Sequence, residues 1–184
     1  MCFLGLLLLA GGTICAQQFE QNPDDQKAAQ MVCQLVHRFH ISQKKIDDSI
    51  SKKTLERYID SVDPLKLYFI KSDIEAFKKL ETKLDDQLVQ GDVKFAYLVH
   101  QAYLERVRRQ VKIAQDYIQV EHDFTTDESR IANPDHLEWC TSGQQLNERW
   151  RKRIKAELLA KKLDDTKLPE ARKQLVKRYT NIKR

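Results

Sequence analysis

Residues that break regular structure are scarce in this sequence: glycine and proline supply only 5 and 4 of the 184 positions. A chain so poor in breakers has few places where a helix must stop, which argues against an all-β fold with many tight turns. Motifs that carry common chemistries are missing as well. No G-x-S-x-G, no glycine-rich phosphate loop, no H-E-x-x-H and no paired C-x-x-C occurs anywhere, so the usual signatures of a serine hydrolase elbow, a nucleotide cradle and a structural or catalytic zinc site are absent. After the first sixteen positions there is no apolar run that could span a membrane.

Charged side chains make up 32% of the chain, and apolar residues recur among them at helical intervals. Asp24 or Asp25 is placed to cap a helix whose apolar face is Ala28, Val32, Leu35, Val36 and Phe39. Polar residues 42–51 form a connection, and Ser51 is the candidate cap of a second helix carrying Leu55, Tyr58, Ile59 and Val62. Asp63-Pro64 ends it, because a residue before proline is pushed out of the α region. Leu65, Leu67, Tyr68 and Phe69 then form a dense apolar knot in a short connection, which must itself be buried and so fixes the angle between its neighbours. Ser72 is the expected N-cap of the next helix, with Asp73 and Glu75 in its first turn, where helix-end amides favour negative charge. Ile74, Phe77, Leu80, Leu84 and Leu88 carry that helix to Gly91, a C-terminal left-handed residue.

Asp92 is the expected cap of the longest helix, running to about Gln119, and the helices after Ser72 and after Asp92 are expected to form a long antiparallel hairpin. Residues 120–143 have no period and much turn chemistry; Phe124, Leu137 and Trp139 would anchor them as a packed strap. A helix from about Gln145 to Leu163 places Leu146, Trp150, Ile154 and Leu158 on one stripe, and Pro169 suits the first turn of a last helix carrying Leu175, Val176 and Tyr179. The expectation is an all-α chain of about six helices in an irregular bundle.

The first sixteen residues, MCFLGLLLLAGGTICA, have the order of a secretory signal peptide, with cleavage after Ala16 and residues 17–184 left as one helical domain in an oxidising compartment, most simply the periplasm. A basic residue is missing before the apolar run, and a buried N-terminal strand is the alternative. Export permits a disulfide between Cys33 and Cys140; it would close a loop of about a hundred residues, worth about 4–5 kcal/mol in the chain-entropy account. The alternative is two thiols that simply pack. The net charge of +5 is uneven: residues 148–184 hold 14 basic and 5 acidic side chains, +9, leaving −4 elsewhere. A solvated helix face explains that excess, and an anionic surface or nucleic acid is the competing reading, against which export counts.

Catalytic or metal-binding sets do not survive scrutiny. His37 and His40 lack third and fourth ligands, and His136 with Cys140 lies in a loop. Glu121, His122 and Asp123 are adjacent in sequence and diverge, and Ser129 and Ser142 have no evident base. No cofactor is expected.

Three blocks carry a resemblance. The first is Tyr58 to Phe77, with its D-P, Y-F and S-D-I-x-x-F strings; the second is His122-Asp123-Phe124-Thr125-Thr126-Asp127-Glu128-Ser129; the third is Trp150 to Lys155 with Leu158-Leu159, then Leu175 to Tyr179. In this order and separation they resemble the N-terminal helical region of the tail-specific, or carboxy-terminal processing, proteases, from about residue 30 to the end. The resemblance implies an exported serine peptidase with a PDZ domain and a Ser–Lys dyad in the parent protein. No position here matches the catalytic Ser or Lys, so none is carried over. Asp63, Pro64, Tyr68, Phe69, Ser72, Asp73 and Trp150 are then family-motif residues with structural roles. The chain is expected to be a scaffold or docking region, present as a fragment. Its implied partners are the PDZ and peptidase core, with an adaptor or protein substrate beyond. A stand-alone binding or chaperone-like protein of the cell envelope is the competing reading.

Overall fold

The computed structural model describes residues 21–41, 45–131 and 133–182. Residues 1–16, expected as a signal peptide, lie outside the described residues. Among the described residues seven α-helices follow one another: α1 (Pro23–Phe39), α2 (Asp48–Val62), α3 (Lys71–Lys78), α4 (Leu84–Val89), α5 (Lys94–Gln119), α6 (Gly143–Leu163) and α7 (Leu168–Ile182). Among the described residues there is no strand, only one turn of 3-10 helix at Pro134–His136 and an isolated bridge between Ile70 and Cys140. The fold is all-α.

Several helix starts differ from expectation, each for a local reason. At α1 the cap is Asn22, whose side chain accepts the Asp24 amide at 3.0 Å, because Pro23 fills the first helical position where a missing N–H costs nothing. At α2 Asp47 accepts the amides of Ser49 and Ile50. Ser51, expected as that cap, is buried inside the helix, and its hydroxyl accepts the Leu84 amide at 3.0 Å. It caps α4 from across the bundle. Ser72 is not a cap either: α3 begins at Lys71, Ile70 is its N-cap, and the Asp73 carboxylate accepts the Ile70 amide at 3.1 Å. The Lys71 amide donates to the Cys140 carbonyl at 2.8 Å, which ties the start of α3 to the end of the strap. Asp92 accepts the Lys94 amide, while the Val93 amide is taken by the Gln21 side chain.

The helix expected to run unbroken to Gly91 is two helices. Between α3 and α4 successive three-residue turns bend the chain (Leu80 amide to Phe77 carbonyl, Lys83 amide to Leu80 carbonyl), which keeps the leucines on one side while redirecting the axis. Consequently the long hairpin does not form as expected. α3 meets the first half of α5, with the rings of Phe77 and Phe95 6.4 Å apart and Asp73 on Arg106, and the rest of α5 runs on along α6 and α7. Gly91 does adopt the left-handed conformation, at φ +77°, and a Cβ there would stand 3.0 Å from the Gln26 carbonyl of α1.

After α5 the chain returns along α6 as the expected strap. Phe124 lies under Lys162, the Thr126 carbonyl meets Lys155, and the Glu138 carbonyl meets Arg149, so the strap runs opposite to α6. α5 and α6 therefore point the same way. α7 runs back between them, with Arg172 on the Val120 carbonyl and Thr180 on Gln115.

Two apolar clusters result. One holds the later part of α5 with α6 and α7 around Trp150, Ile154, Leu158 and Tyr179; the other joins α2, α3, α4 and the start of α5 around Leu55, Phe69, Phe77 and Val99. Leu67 belongs to the first cluster, Phe69 to the second, and Tyr103 packs against both. Helix α1 packs on α4 but buries no residue completely.

Candidate functional site

The junction between the clusters is built from Asp63. Its carboxylate accepts three backbone amides, Leu67 at 2.8 Å and Tyr68 and Phe69 at 2.9 Å each, and the residue is buried. Burial pushes this carboxyl up from its ordinary value, and the three amides and the Arg149 guanidinium pull it back. The loop it holds contains Lys66 at φ +48°, a conformation that a non-glycine residue adopts only when its surroundings impose it. Arg149 imposes it in part, donating to the Lys66 carbonyl and to the Glu138 carbonyl at 2.8 Å each. Trp150 does the same from one residue on: its indole N–H donates to the Leu67 carbonyl at 2.7 Å in a buried setting.

Rings continue the junction on both sides. Tyr68 meets Tyr103 edge-on at 5.1 Å and Trp150 at 5.9 Å; Phe69 meets Phe77 edge-on at 5.3 Å; Trp150 meets Tyr179 at 5.6 Å. The structure thus brings Asp63, Tyr68, Phe69 and Trp150 into one unit. Asp73 stands at its edge, bonded to Arg106 of α5 at 2.6 Å, while Pro64 is exposed at the turn and Ser72 is exposed on α3.

A second polar cluster lies where the strap crosses α6. Glu128 accepts from Arg151, and from Lys155 at 2.5 Å, while Arg151 also holds Glu148 at 2.7 Å. The two cations hold the Glu128 carboxyl down to about 2, well below its ordinary 4.5. At the head of the strap Asp123 accepts the hydroxyls of Thr125 and Thr126, which lowers its pKa too. Arg153 and Arg178 share Glu157, which also accepts the Tyr179 hydroxyl at 2.8 Å. The basic side of α6 is therefore not simply a solvated face. Lys155 is buried, and its neighbours are spent on the strap and on α7. The signal was present in the sequence as Arg151 and Lys155, four apart on one helix face, but nothing there paired them with Glu128.

Cys33 and Cys140 are both free. Cys140 is buried in the first cluster and Cys33 is half-buried on α1. Packing describes the first thiol, and only partly the second. Among the described residues no three His, Cys, Asp or Glu side chains are grouped to hold a metal, and no helix is long and apolar enough to cross a membrane.

Every perturbed polar group described above is spent on holding backbone or neighbouring side chains. Those groups hold together an all-α domain. The family model for the tail specific protease N-terminal domain matches residues 31–184. The tail-specific protease of Haemophilus influenzae (strain ATCC 51907 / DSM 11121 / KW20 / Rd) is 30% identical over 141 residues, which cover 76% of this chain and 20% of that protein. This chain belongs to the tail-specific protease N-terminal domain family. It spans about a fifth of the length of that relative.

Proposed function

We propose that this chain is the helical scaffold of an exported tail-specific serine protease, acting in the periplasm, and that it seats the remainder of that protease on the open face of α1. The observation that carries the reading is α1 itself. Met31, Val32, Leu35 and Phe39 are 50% to 73% exposed. A separate shallow hollow of about 410 Å³, lined by Cys33, His37, Ile46 and Val89, lies on another side of α1. Of its apolar residues only Ala29, Cys33 and Val36 are half-buried against the molecule, which leaves Met31, Val32, Leu35 and Phe39 for a packing partner elsewhere. The relative is about five times as long as the segment it shares with this chain, so a PDZ and peptidase portion is the occupant of matching size.

The buried junction supports the same reading. A scaffold must hold its docking face at a fixed angle, and the Asp63 loop locks the two clusters together. Isolating the protein from its own cells and sequencing it by mass spectrometry tests the proposal. A PDZ segment and a Ser–Lys peptidase core should be found, contiguous with this chain or bound to it, and Leu35→Asp with Phe39→Asp should loosen that association. Finding neither segment contradicts the proposal. Capture of assorted unfolded polypeptides in their place favours a stand-alone chaperone-like role.

A further inference from the structure

Helix α1 carries two donor atoms that nothing in the bundle uses. Cys33 and His37 lie four residues apart on one unbroken helix, so their side chains stand on the same side of it, with Cβ atoms about 5–6 Å apart. Both line the hollow of about 410 Å³ whose walls include Ile46 and Val89. Among the described residues neither the thiol of Cys33 nor the imidazole of His37 has a hydrogen-bond or ionic partner. Cys140, by contrast, is closed into the core.

A free thiol sulfur and a free ring nitrogen on one helix face form a donor set for a metal ion, and the surroundings select which ion. A structural zinc ion takes four ligands in a tetrahedron. Among the described residues the hollow offers no third His, Cys, Asp or Glu; its other polar lining is Gln30, Gln34 and Lys45. The Gln30 amide is already given to the Gln90 carbonyl at 3.0 Å, and Lys45 is itself a cation. Charge selects in the same direction. A thiolate and a monovalent ion sum to zero, which suits walls of Ile46 and Val89, whereas a divalent ion leaves a net positive charge beside Lys45. Soft ions prefer thiolate sulfur and accept imidazole, and a soft monovalent ion is satisfied by two ligands in line. With metal–ligand bonds of about 2 Å, sulfur and nitrogen then stand about 4 Å apart, within the reach of side chains one helical turn apart.

We infer that Cys33 and His37 form a two-coordinate site for a soft monovalent metal ion such as copper(I), with the thiolate and the imidazole on opposite sides of the ion. On binding, the S–H bond breaks as the sulfur–metal bond forms and the proton leaves to solvent; no electron is transferred. Burial pushes the Cys33 thiol up, so binding should tighten as the pH rises. The hollow lies on another side of α1 from Met31, Val32, Leu35 and Phe39, and the inference does not depend on what packs against those residues.

Titration with silver(I), a redox-inert stand-in for copper(I), tests it. In the full chain carrying Cys2→Ser and Cys15→Ser, Cys33 and Cys140 are the remaining thiols. Native mass spectrometry should show a single bound ion, and NMR should show the ring signals of His37 shifting while those of His136 stay in place. Cys33→Ser should abolish binding. His37→Gln should weaken it at least about tenfold, since even outer-shell partners of a metal site cost that much, with an otherwise unchanged spectrum. Full affinity in His37→Gln overturns the inference, because sulfur alone then binds. Binding that leaves the His37 ring unshifted overturns it for the same reason. Zinc(II) bound as tightly as silver(I), or no binding of silver(I), overturns it as well.

Discussion

Asp63 does more than any other single residue described here, since one side chain closes a loop that the backbone alone could not. Replacing it with alanine leaves the amides of Leu67 and Phe69 buried without acceptors. Each such orphan costs about 1–3 kcal/mol, so Asp63→Ala should lose about 3–5 kcal/mol in a denaturant melt. Phe69 is fully buried between Phe77 and Tyr103. Phe69→Ala should likewise cost about 3–5 kcal/mol by the same measurement. Much of this was legible in the sequence. The D-P stop and the cluster of aromatics after it announce a buried linker, and Trp150 falls on a clean apolar stripe. The bond from the Trp150 indole to the Leu67 carbonyl was not legible, because it joins positions 83 apart and no periodic pattern reports so distant a pairing. Ser51 failed for a related reason. A serine near a helix start reads as that helix's own cap, whereas here it serves the amide of Leu84 in another helix.

At the scale of elements, α5, α6 and α7 lie within a few residues of their expected positions, since long periodic stripes are the strongest signal a sequence carries. The broken helix between Lys71 and Val89 was hidden because three-residue turns preserve the apolar spacing that a continuous helix would show. The strap was expected to pack, but the ions that pin it were not. Its hold on α6 depends on the Glu128 carboxylate, whose folded pKa is lowered from 4.5 to about 2 by Arg151 and Lys155. A group with a depressed pKa stabilises above its unfolded value and loses that contribution as pH falls through the folded value. The strap should therefore stay closed above pH 4.5 and loosen progressively as the pH falls toward 2. Hydrogen exchange of residues 124–129, followed across that range, checks this. The same exchange in Glu128→Gln should be fast already at neutral pH. Gly91→Ala tests the contact of α1 with the turn before α5: φ +77° and a Cβ 3.0 Å from the Gln26 carbonyl predict a loss of more than about 1 kcal/mol.

For the whole molecule, the issue is whether two apolar clusters behave as one unit. The two tryptophans report separately, Trp150 from the cluster of α5, α6 and α7 and Trp139 from the cluster of α2, α3 and α4. A molecule joined through residues 67–69 and Tyr103 should unfold in one transition, with both fluorescence signals and the helical signal coincident. The open face of α1 fits the same picture. In the proposed scaffold role, a domain locked within itself would offer that face as a firm surface to the remainder of the protease.

Native-state hydrogen exchange of the Leu67 and Phe69 amides is the most direct measurement of this joining. Both amides are bonded to the Asp63 carboxylate in a loop rather than in a helix. If the loop joins the two clusters, these amides exchange only through global unfolding, with protection equal to that of Val111 and Ile154 in the core. Protection at the low level of the exposed strap amides of Asp127 and Glu128 would contradict the account, for the clusters would then be held together by something else.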